Sequence, residues 1–407
     1  MKQQARQGAA DPMRTAKAEF LPFARPSITH REKDAVLQVL DSGWLTTGPT
    51  TKAFEEAFSR YVGSAYAIAV NSATAALHLA LDALGVSDED EVIVPTWTFA
   101  ASAEVVVYRR ARPVLVDIEQ RTLNAPISAI DAAITSRTKA VIAVHFAGHP
   151  LELPALRDHL AAKSIALIED AAHSFPSRVD ERENAYAGTF GRAGAYSFYA
   201  TKTITTGEGG MLVTDDAAMA DRARLMSLHG ISKDAWKRYT AAGSWYYEIE
   251  DAGYKYNMTD MAAALGLVQL ERAEELLSER RRLAKRYSTA LAESPVADLV
   301  SLPAGMDDAS HAWHLYVLRL NVDALTASRG SVIDQLNQRG IGTSVHFIPL
   351  HLHPYHRRTW VTDSTAYPVA TAEYERVISL PLWPGMGDAG VDRVVDALVD
   401  TLSSARR

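Results

Sequence analysis

Between residues 29 and 215, short apolar runs alternate with stretches of helical periodicity, a pattern that few folds can accommodate. The runs are YAIAV at Tyr66–Val70, EVIV at Glu91–Val94, PVLV at Pro113–Val116, AVIAV at Ala140–Val144, IALI at Ile165–Ile168 and AYSF at Ala195–Phe198. Between them the spacing predicts helices over Thr74–Leu84 and Leu153–Ala162, with another over Ala217–Leu228 after the last run. Strand and helix in strict alternation are βα units, and such units fold as an α/β domain around a mostly parallel sheet. The punctuation agrees. Thr29 followed by Glu32 reads as a capping box for a helix closed by Gly43, and a second helix is predicted from about Lys52 to Gly63.

At 407 residues the chain exceeds the ~250–300 at which a single core stops growing, so a second body is expected. A long helical pattern runs from Thr259 to about Glu293. Its charged second half reads as a solvent-facing connector, and the domain boundary is placed along it. Beyond it a strand (Trp313–Leu320), a helix (Ser331–Arg339), a strand (Gly342–Phe347) and a last helix (Val391–Leu402) suffice for a small α/β domain. The expected division is an arm-like, disordered tail over 1–24, a large domain over 25–275 and a small domain over 276–407. The first twenty residues, MKQQARQGAADPMRTAKAEF, have no apolar core of a signal, and Asp11 and Glu19 argue against a transit peptide. No run of about 18 apolar residues occurs, so neither a membrane span nor export is expected, and the cytoplasm is the expected address. A formal charge of -7 offers no general attraction to nucleic acid or anionic lipid. With no cysteine, a disulfide framework, an iron–sulfur cluster and a thiol nucleophile are excluded, so chemistry must come from other side chains.

Three segments could carry it. The strand Tyr66–Val70 runs into Asn71-Ser72-Ala73-Thr74, placing small and hydroxyl residues where the amides of a helix start have no helical partner. That builds an anion site, although ordinary capping explains the residues as well. IALIED ends in Glu169-Asp170, then Ala171-Ala172-His173, which puts a carboxylate at the carboxyl end of a buried strand, where open α/β sheets bind ligands. A protonated pyridine nitrogen would compensate its desolvation. At ~4 Å and an effective dielectric near 20 such a pair attracts by about 4 kcal/mol, or roughly three pKa units. The alternative is an aspartate capping the next helix. Finally Lys202 follows the last strand, between Thr201 and Thr203 and ahead of Thr206-Gly207-Glu208-Gly209-Gly210. An ordinary lysine is less than about 0.1 % unprotonated at pH 7, so chemistry through its nitrogen needs a buried or cation-rich site, or an imine. Read alone, the segment also fits a surface lysine in a hairpin loop. Together the three suit one ligand bearing a phosphate, a ring nitrogen and an aldehyde, and pyridoxal 5'-phosphate has all three.

The chain resembles the DegT/StrS family of sugar aminotransferases. The matching motifs are Thr47-Gly48-Pro49, NSATAALHL at Asn71–Leu79, EVIVPTWTF at Glu91–Phe99, VHFAGHP at Val144–Pro150, IEDAAH at Ile168–His173, SFYATKTITTGEGG at Ser197–Gly210, GYKYNMTD at Gly253–Asp260 and GTSVHFIPLHLH at Gly342–His353. They stand in family order and span about residues 25–400. The resemblance implies the fold-type I architecture, a mostly parallel seven-stranded sheet with a smaller C-terminal α/β domain. It implies that Lys202 forms an imine with the cofactor and then shuttles the substrate proton, and that Asp170 pairs with the pyridine nitrogen. His173 would meet the phenolic oxygen, Phe99 would stack on the ring, and Ala73, Thr74 and Ser197 would hold the phosphate. The family also places a residue of GYKYN from a neighbouring subunit at the phosphate, which implies a homodimer with shared active sites. This chain departs from the GYNYR form, with Lys255 in place of Asn and Asn257 in place of Arg. Either could serve, and Lys255 is the better electrostatic candidate.

The implied reaction moves an amino group from an L-amino acid, glutamate being the expected donor, through pyridoxamine 5'-phosphate to a keto sugar. IEDAAH and KYN resemble the branch acting on nucleotide-linked 4-keto-6-deoxy sugars. A non-nucleotide cyclic ketone, such as an inosose or an antibiotic ring precursor, and a regulator that binds the cofactor without turnover are the alternatives. A dehydratase branch carries histidine where Lys202 stands, so the lysine argues against it. His351, His353 and His356 suggest a metal, yet no carboxylate or cysteine accompanies them, and no metal is expected. Trp44, Trp97 and Trp245-Tyr246-Tyr247 could stack on a sugar but usually just pack. His314 and His346 are left without a role, and 231–252 reads as a loop over the site.

Overall fold

The computed structural model describes residues 19–180, 185–231, 246–305, 308, 310–360 and 363–407. Seven strands form the main sheet: β1 (Tyr66–Val70), β2 (Glu91–Pro95), β3 (Arg112–Val116), β4 (Thr138–Val144), β5 (Ala166–Asp170), β8 (Ala193–Ser197) and β9 (Gly210–Thr214), in the order β1-β9-β8-β5-β4-β2-β3. A two-stranded ribbon, β6 (Arg178–Asp180) and β7 (Ala185–Tyr186), lies between β5 and β8 in sequence. Every pairing in the main sheet is parallel except the two made by β9, which runs against the rest. This is the mostly parallel α/β sheet of the fold-type I architecture. All six predicted strands are present. Sequence reading missed β9, whose residues GMLVT follow GEGG and merge with the turn.

The apolar runs follow from burial on both faces. One layer gathers Ile68, Val70, Val92, Val94, Ile142, Ile168 and Leu212 against the helices Ala73–Ala83 and Ala217–Ser227. Alternate residues face the other way, Ala69, Met211 and Tyr196 joining Phe54, Phe58, Phe175 and Phe198, while Ile93, Val141 and Leu167 join Leu156 and Leu160. Each fully buried side chain of this size contributes on the order of 1.5–3 kcal/mol, so the register of the sheet is strongly set.

The predicted capping box is present, with Thr29 and Glu32 exchanging their bonds around His30–Ser42 and Gly43 closing it at φ 72°. Pro49–Val62 has no side-chain cap of its own at Gly48. Its first amides instead donate to Asp260: Gly48 N at 2.8 Å, Thr50 N at 3.1 Å and Thr51 N at 2.9 Å. That joins the Thr47-Gly48-Pro49 and GYKYNMTD motifs across some 210 residues.

The pattern predicted over Thr259–Glu293 is two helices, Asp260–Glu271 and Ala273–Ala292, meeting at Arg272. The second is not a solvent-facing connector. Leu276, Leu277, Arg280, Leu283, Ala284, Tyr287 and Leu291 recur at helical spacing and are buried, and apart from Arg280 the charges lie outside this stripe. Its buried stripe packs into a core with β10 (Val300–Ser301), β11 (Tyr316–Leu320), β12 (Val377–Leu380) and the closing helix Gly387–Ser404. The three strands form an antiparallel sheet. The strand predicted over 342–347 is absent, because only Ser344 pairs with a neighbour, Ser379. Leu21 is held between Gly340 and Gly342, at 2.8 Å on both sides, so the described end of the arm is ordered against the small sheet; residues 1–18 lie outside the described residues. No described helix is long and apolar enough to cross a membrane.

Candidate active site

The site forms where β5 and β8 end side by side, with Asp170 in register with Ala195. Strand alternation sends the two acids of IED to opposite faces. Glu169 is fully buried and accepts from His145 Nε2 at 3.0 Å, Gly188 N at 2.7 Å, Phe190 N at 2.6 Å and Gly191 N at 2.7 Å. Its lone pairs are spent on the loop that leads into β8. Asp170 faces the other way, also buried, and among the described residues accepts only from Ser102 Oγ at 2.7 Å and Ala172 N at 3.2 Å. A carboxylate with two ordinary partners retains acceptor capacity for a third.

Lys202 sits in the loop between β8 and β9. The loop's base is pinned by Phe198, whose ring is buried in the aromatic cluster. Phe198 N donates to Gly209 O at 2.9 Å, and Phe198 O accepts from Thr206 N and Thr205 Oγ1, each at 2.9 Å. The lysine is thereby turned into a narrow, tightly packed recess whose lining includes His173, Ser197, Lys202, Thr203 and His314. Among the described residues its Nζ has one hydrogen-bond neighbour, His314 Nε2 at 3.5 Å. Burial lowers the ammonium from 10.5 to about 7, the charge of Asp170 opposes that fall, and the guanidinium of Arg280 adds to it.

His173 is held by Ala147 N, which donates to Nδ1 at 3.3 Å and so leaves the ring proton on Nε2. Burial, with the charges of Lys202 and His346 added, keeps the ring well below the ordinary imidazole range, hence neutral. Its ring stacks on Phe347 at 5.7 Å and lies 4.3 Å from that of His314. Burial, then the neighbouring cations, hold His314 down in the same way, and its buried Nδ1 has no partner. Phe99, in the turn between β2 and Ser102, is 62 % exposed and approaches Phe347 at 5.9 Å.

At the far end of the site, the helix Ala73–Ala83 begins with Ser72 capping Ala75 N at 3.1 Å. The amides of Ala73 and Thr74 have no acceptor among the described residues. Gly210 lies against this turn so closely that a Cβ there would stand 2.5 Å from Ala73 N. Gly210 also pairs with Ser197, which brings that hydroxyl-bearing strand end to the same place. Free amides, a buried carboxylate and a lone amine in one cleft fit the phosphate, ring nitrogen and aldehyde of pyridoxal phosphate.

The structure thus gathers Asp170, His173, Ser197 and Lys202, with the Ala73–Thr74 amides beside them. Lys255 and Asn257 stand apart from the amine. Their backbone borders the same turn, where Asn71 N donates to Tyr256 O at 2.7 Å, while Lys255 is exposed and Asn257 Nδ2 donates to Thr47 Oγ1 at 2.6 Å. His351 does not point to a metal, as Nδ1 meets Thr96 Oγ1 and Nε2 meets Thr371 Oγ1. Trp97 is core. Trp245 and most of the proposed loop over the site lie outside the described residues. Ser102 and Arg280 were not singled out from sequence, and Gly210 was read only as part of the glycine turn. Only the stripe containing Arg280 left a readable signal, its spacing from Leu276, Leu283 and Tyr287.

The model of the DegT/DnrJ/EryC1/StrS aminotransferase family matches residues 26–399. The spore coat polysaccharide biosynthesis protein SpsC of Bacillus subtilis is 45 % identical over 387 residues, covering 95 % of this chain and 98 % of that protein. Among solved structures, the putative sugar aminotransferase Spr1654 of Streptococcus pneumoniae is 34 % identical, in a PLP form (TM-score 0.85; 95 % of this chain and 99 % of that one) and a PMP form (TM-score 0.86; 94 % and 99 %). PseC of Helicobacter pylori, an aminotransferase involved in the biosynthesis of pseudoaminic acid, is 27 % identical with a TM-score of 0.86, covering 95 % of this chain and all of that one.

Proposed function

The chain belongs to the DegT/DnrJ/EryC1/StrS aminotransferase family and is a pyridoxal phosphate-dependent aminotransferase, and from that premise we propose that it aminates a nucleotide-linked 4-keto-6-deoxy sugar at the expense of L-glutamate. The observation that carries the reading is the meeting of Lys202, with its lowered proton affinity, and the under-used carboxylate of Asp170 at the ends of adjacent strands. The roles of SpsC in spore coat polysaccharide and of PseC in pseudoaminic acid support a sugar acceptor. The cofactor, when bound, supplies an electron sink and a carrier for nitrogen between the two half-reactions.

Lys202 would hold the cofactor through Nζ, and the same nitrogen would be placed to carry a proton to or from the substrate carbon. Its lowered proton affinity suits both tasks, since the nitrogen must be neutral to attack and to act as a base. Asp170 keeps a ring nitrogen protonated. Ser102 anchors that carboxylate from the Phe99 turn. His173 would offer its Nε2 proton to the cofactor, and exposed Phe99 would be available to pack on it. The Ala73 and Thr74 amides and Ser197 take the phosphate. The partner in this chemistry is a second copy of the chain, from which exposed Lys255 reaches the phosphate; Asn257 is already engaged by Thr47.

The test has two arms. Holo-protein given L-glutamate alone should release a single turnover of 2-oxoglutarate and leave pyridoxamine phosphate. A panel of nucleotide-linked keto sugars then identifies the acceptor. No 2-oxoglutarate would remove glutamate as donor, and amination of free cyclic ketones in preference to every nucleotide sugar would overturn the acceptor class.

A further inference from the structure

Arg280 is a buried guanidinium, 2 % exposed, with no carboxylate paired to it among the described residues. It lies on the inner stripe of the helix Ala273–Ala292, and among the described residues its Nη protons go to backbone carbonyls, Leu382 O at 2.9 Å, His314 O at 3.3 Å, Trp313 O at 3.4 Å and Thr201 O at 3.5 Å, while Nε has no acceptor. A buried charge usually carries a counter-ion, because desolvating it unpaired is expensive. Burial lowers even this group, to about 10. Two of the four carbonyls belong to residues that bracket the reactive amine. Thr201 precedes Lys202 in the chain, and His314 is the residue whose Nε2 lies 3.5 Å from Lys202 Nζ.

We propose that Arg280 is a positioning residue for Lys202: it clamps the backbone on both sides of the ε-amine and presents that amine with a fixed positive charge that no neighbour neutralises. The other groups facing Lys202 are Asp170 at the end of β5, His173 just beyond it, His314 ahead of β11 and His346 from the 342–347 segment. The three histidines are held neutral by burial, with the charge of Lys202 adding to each. Near neutrality the field at the amine is therefore the negative charge of Asp170 against the positive charge of Arg280. Burial does most to keep the amine neutral; without Arg280 the carboxylate would oppose it unbalanced and shift the amine toward the ammonium, which cannot attack an aldehyde. The guanidinium thus adds to burial and offsets the pull of the nearby acid. This rests on Lys202 being the attachment lysine.

The experiment reads Lys202 directly. The full-length chain, freed of cofactor, is pulse-labelled with acetic anhydride across pH 5–11, and acetylation of the Lys202 peptide is measured by mass spectrometry. In the wild type the midpoint should fall near 7. Arg280→Gln and Arg280→Met, one retaining a donor and one restoring packing, should raise it by about one unit, a roughly tenfold slower reaction below both midpoints. Arg280→Lys, which keeps the charge, should leave it close to the wild-type value. Wild-type midpoints in both neutral variants would overturn the proposal, as would an equal rise in all three variants, which would mark a packing role alone. Borohydride reduction of the holo-protein separates this from the attachment reading, since cofactor fixed to another lysine would refute the latter whatever the Arg280 variants show.

Discussion

Glu169 and Asp170 are neighbours in sequence, and the structure assigns them opposite kinds of work, which a pair of isosteric substitutions can separate. In Glu169→Gln the amide has one acceptor oxygen where the carboxylate had two. If that oxygen serves Phe190 N and Gly191 N, the NH2 group faces the Gly188 amide, and if it is turned the other way, two backbone donors lose their acceptor. Each stranded buried donor costs about 1–3 kcal/mol, and loss of the charge weakens the remaining bonds, so the sum is about 3–5 kcal/mol. With an unfolding entropy of ~2.1 cal/mol/K per residue over 407 residues, that lowers the thermal midpoint by roughly 4–6 °C. Asp170→Asn is accommodated differently. Its oxygen can still accept from Ala172 N, and its NH2 can donate to Ser102 Oγ, because a hydroxyl serves in either sense. The midpoint should move by about 1 °C or less, while removal of the charge that holds a ring nitrogen protonated depresses both half-reactions by roughly a thousandfold. Scanning fluorimetry and single-turnover absorbance read the two properties independently. A stable, active Glu169→Gln beside an inactive but strongly destabilised Asp170→Asn would refute the division, as would unchanged kinetics in Asp170→Asn.

Two further outcomes follow from the same geometry. Gly210→Ala should weaken cofactor binding at least tenfold, since the new methyl would stand 2.4 Å from Ser72 C and 2.5 Å from Ala73 N and displace the turn that offers the phosphate amides; equilibrium dialysis against pyridoxal phosphate checks this. In the cofactor-free chain Lys202 titrates near 7 when folded and near 10.5 when unfolded, so between those values the unfolded state binds the extra proton and this group makes stability rise with pH. Lys202→Met should flatten that rise in thermal melts at pH 7–10, and it should also leave a protein to which borohydride cannot fix the cofactor.

Much of this was legible before any coordinates because a strand buried on both faces must be apolar throughout. The runs at Tyr66–Val70, Ala140–Val144 and Ile165–Ile168 have no competing reading, and acids at the end of such a run are conspicuous. Sequence could place the pair Glu169-Asp170 at the sheet's carboxyl edge. Spacing alone could not say which acid faced the cleft, because that depends on which face the helix Ala73–Ala83 covers; only the family resemblance pointed to Asp170. The reversed strand β9 was hidden by its glycines, and the 342–347 segment was overread because its alternation matched a strand that only Ser344 supports. Ser102 and the role of Arg280, though not its place on an apolar stripe, lay beyond reach for another reason. A serine in AASAE or an arginine in SERRRL is ordinary locally, and each acquires its role from a partner 68 residues or more away, or from several carbonyls at once.

The order of the sheet also has a consequence for synthesis. The first strand to leave the ribosome, β1, borders only β9 in the main sheet, and the amides at the start of Pro49–Val62 await the carboxylate of Asp260. At ~5–20 residues per second, roughly 7–30 s separate the emergence of Val70 from that of Thr214. During that interval the nascent chain carries an unpaired apolar edge, so chaperone contacts should concentrate on its first hundred residues and slow-translating messages should aggregate most readily there.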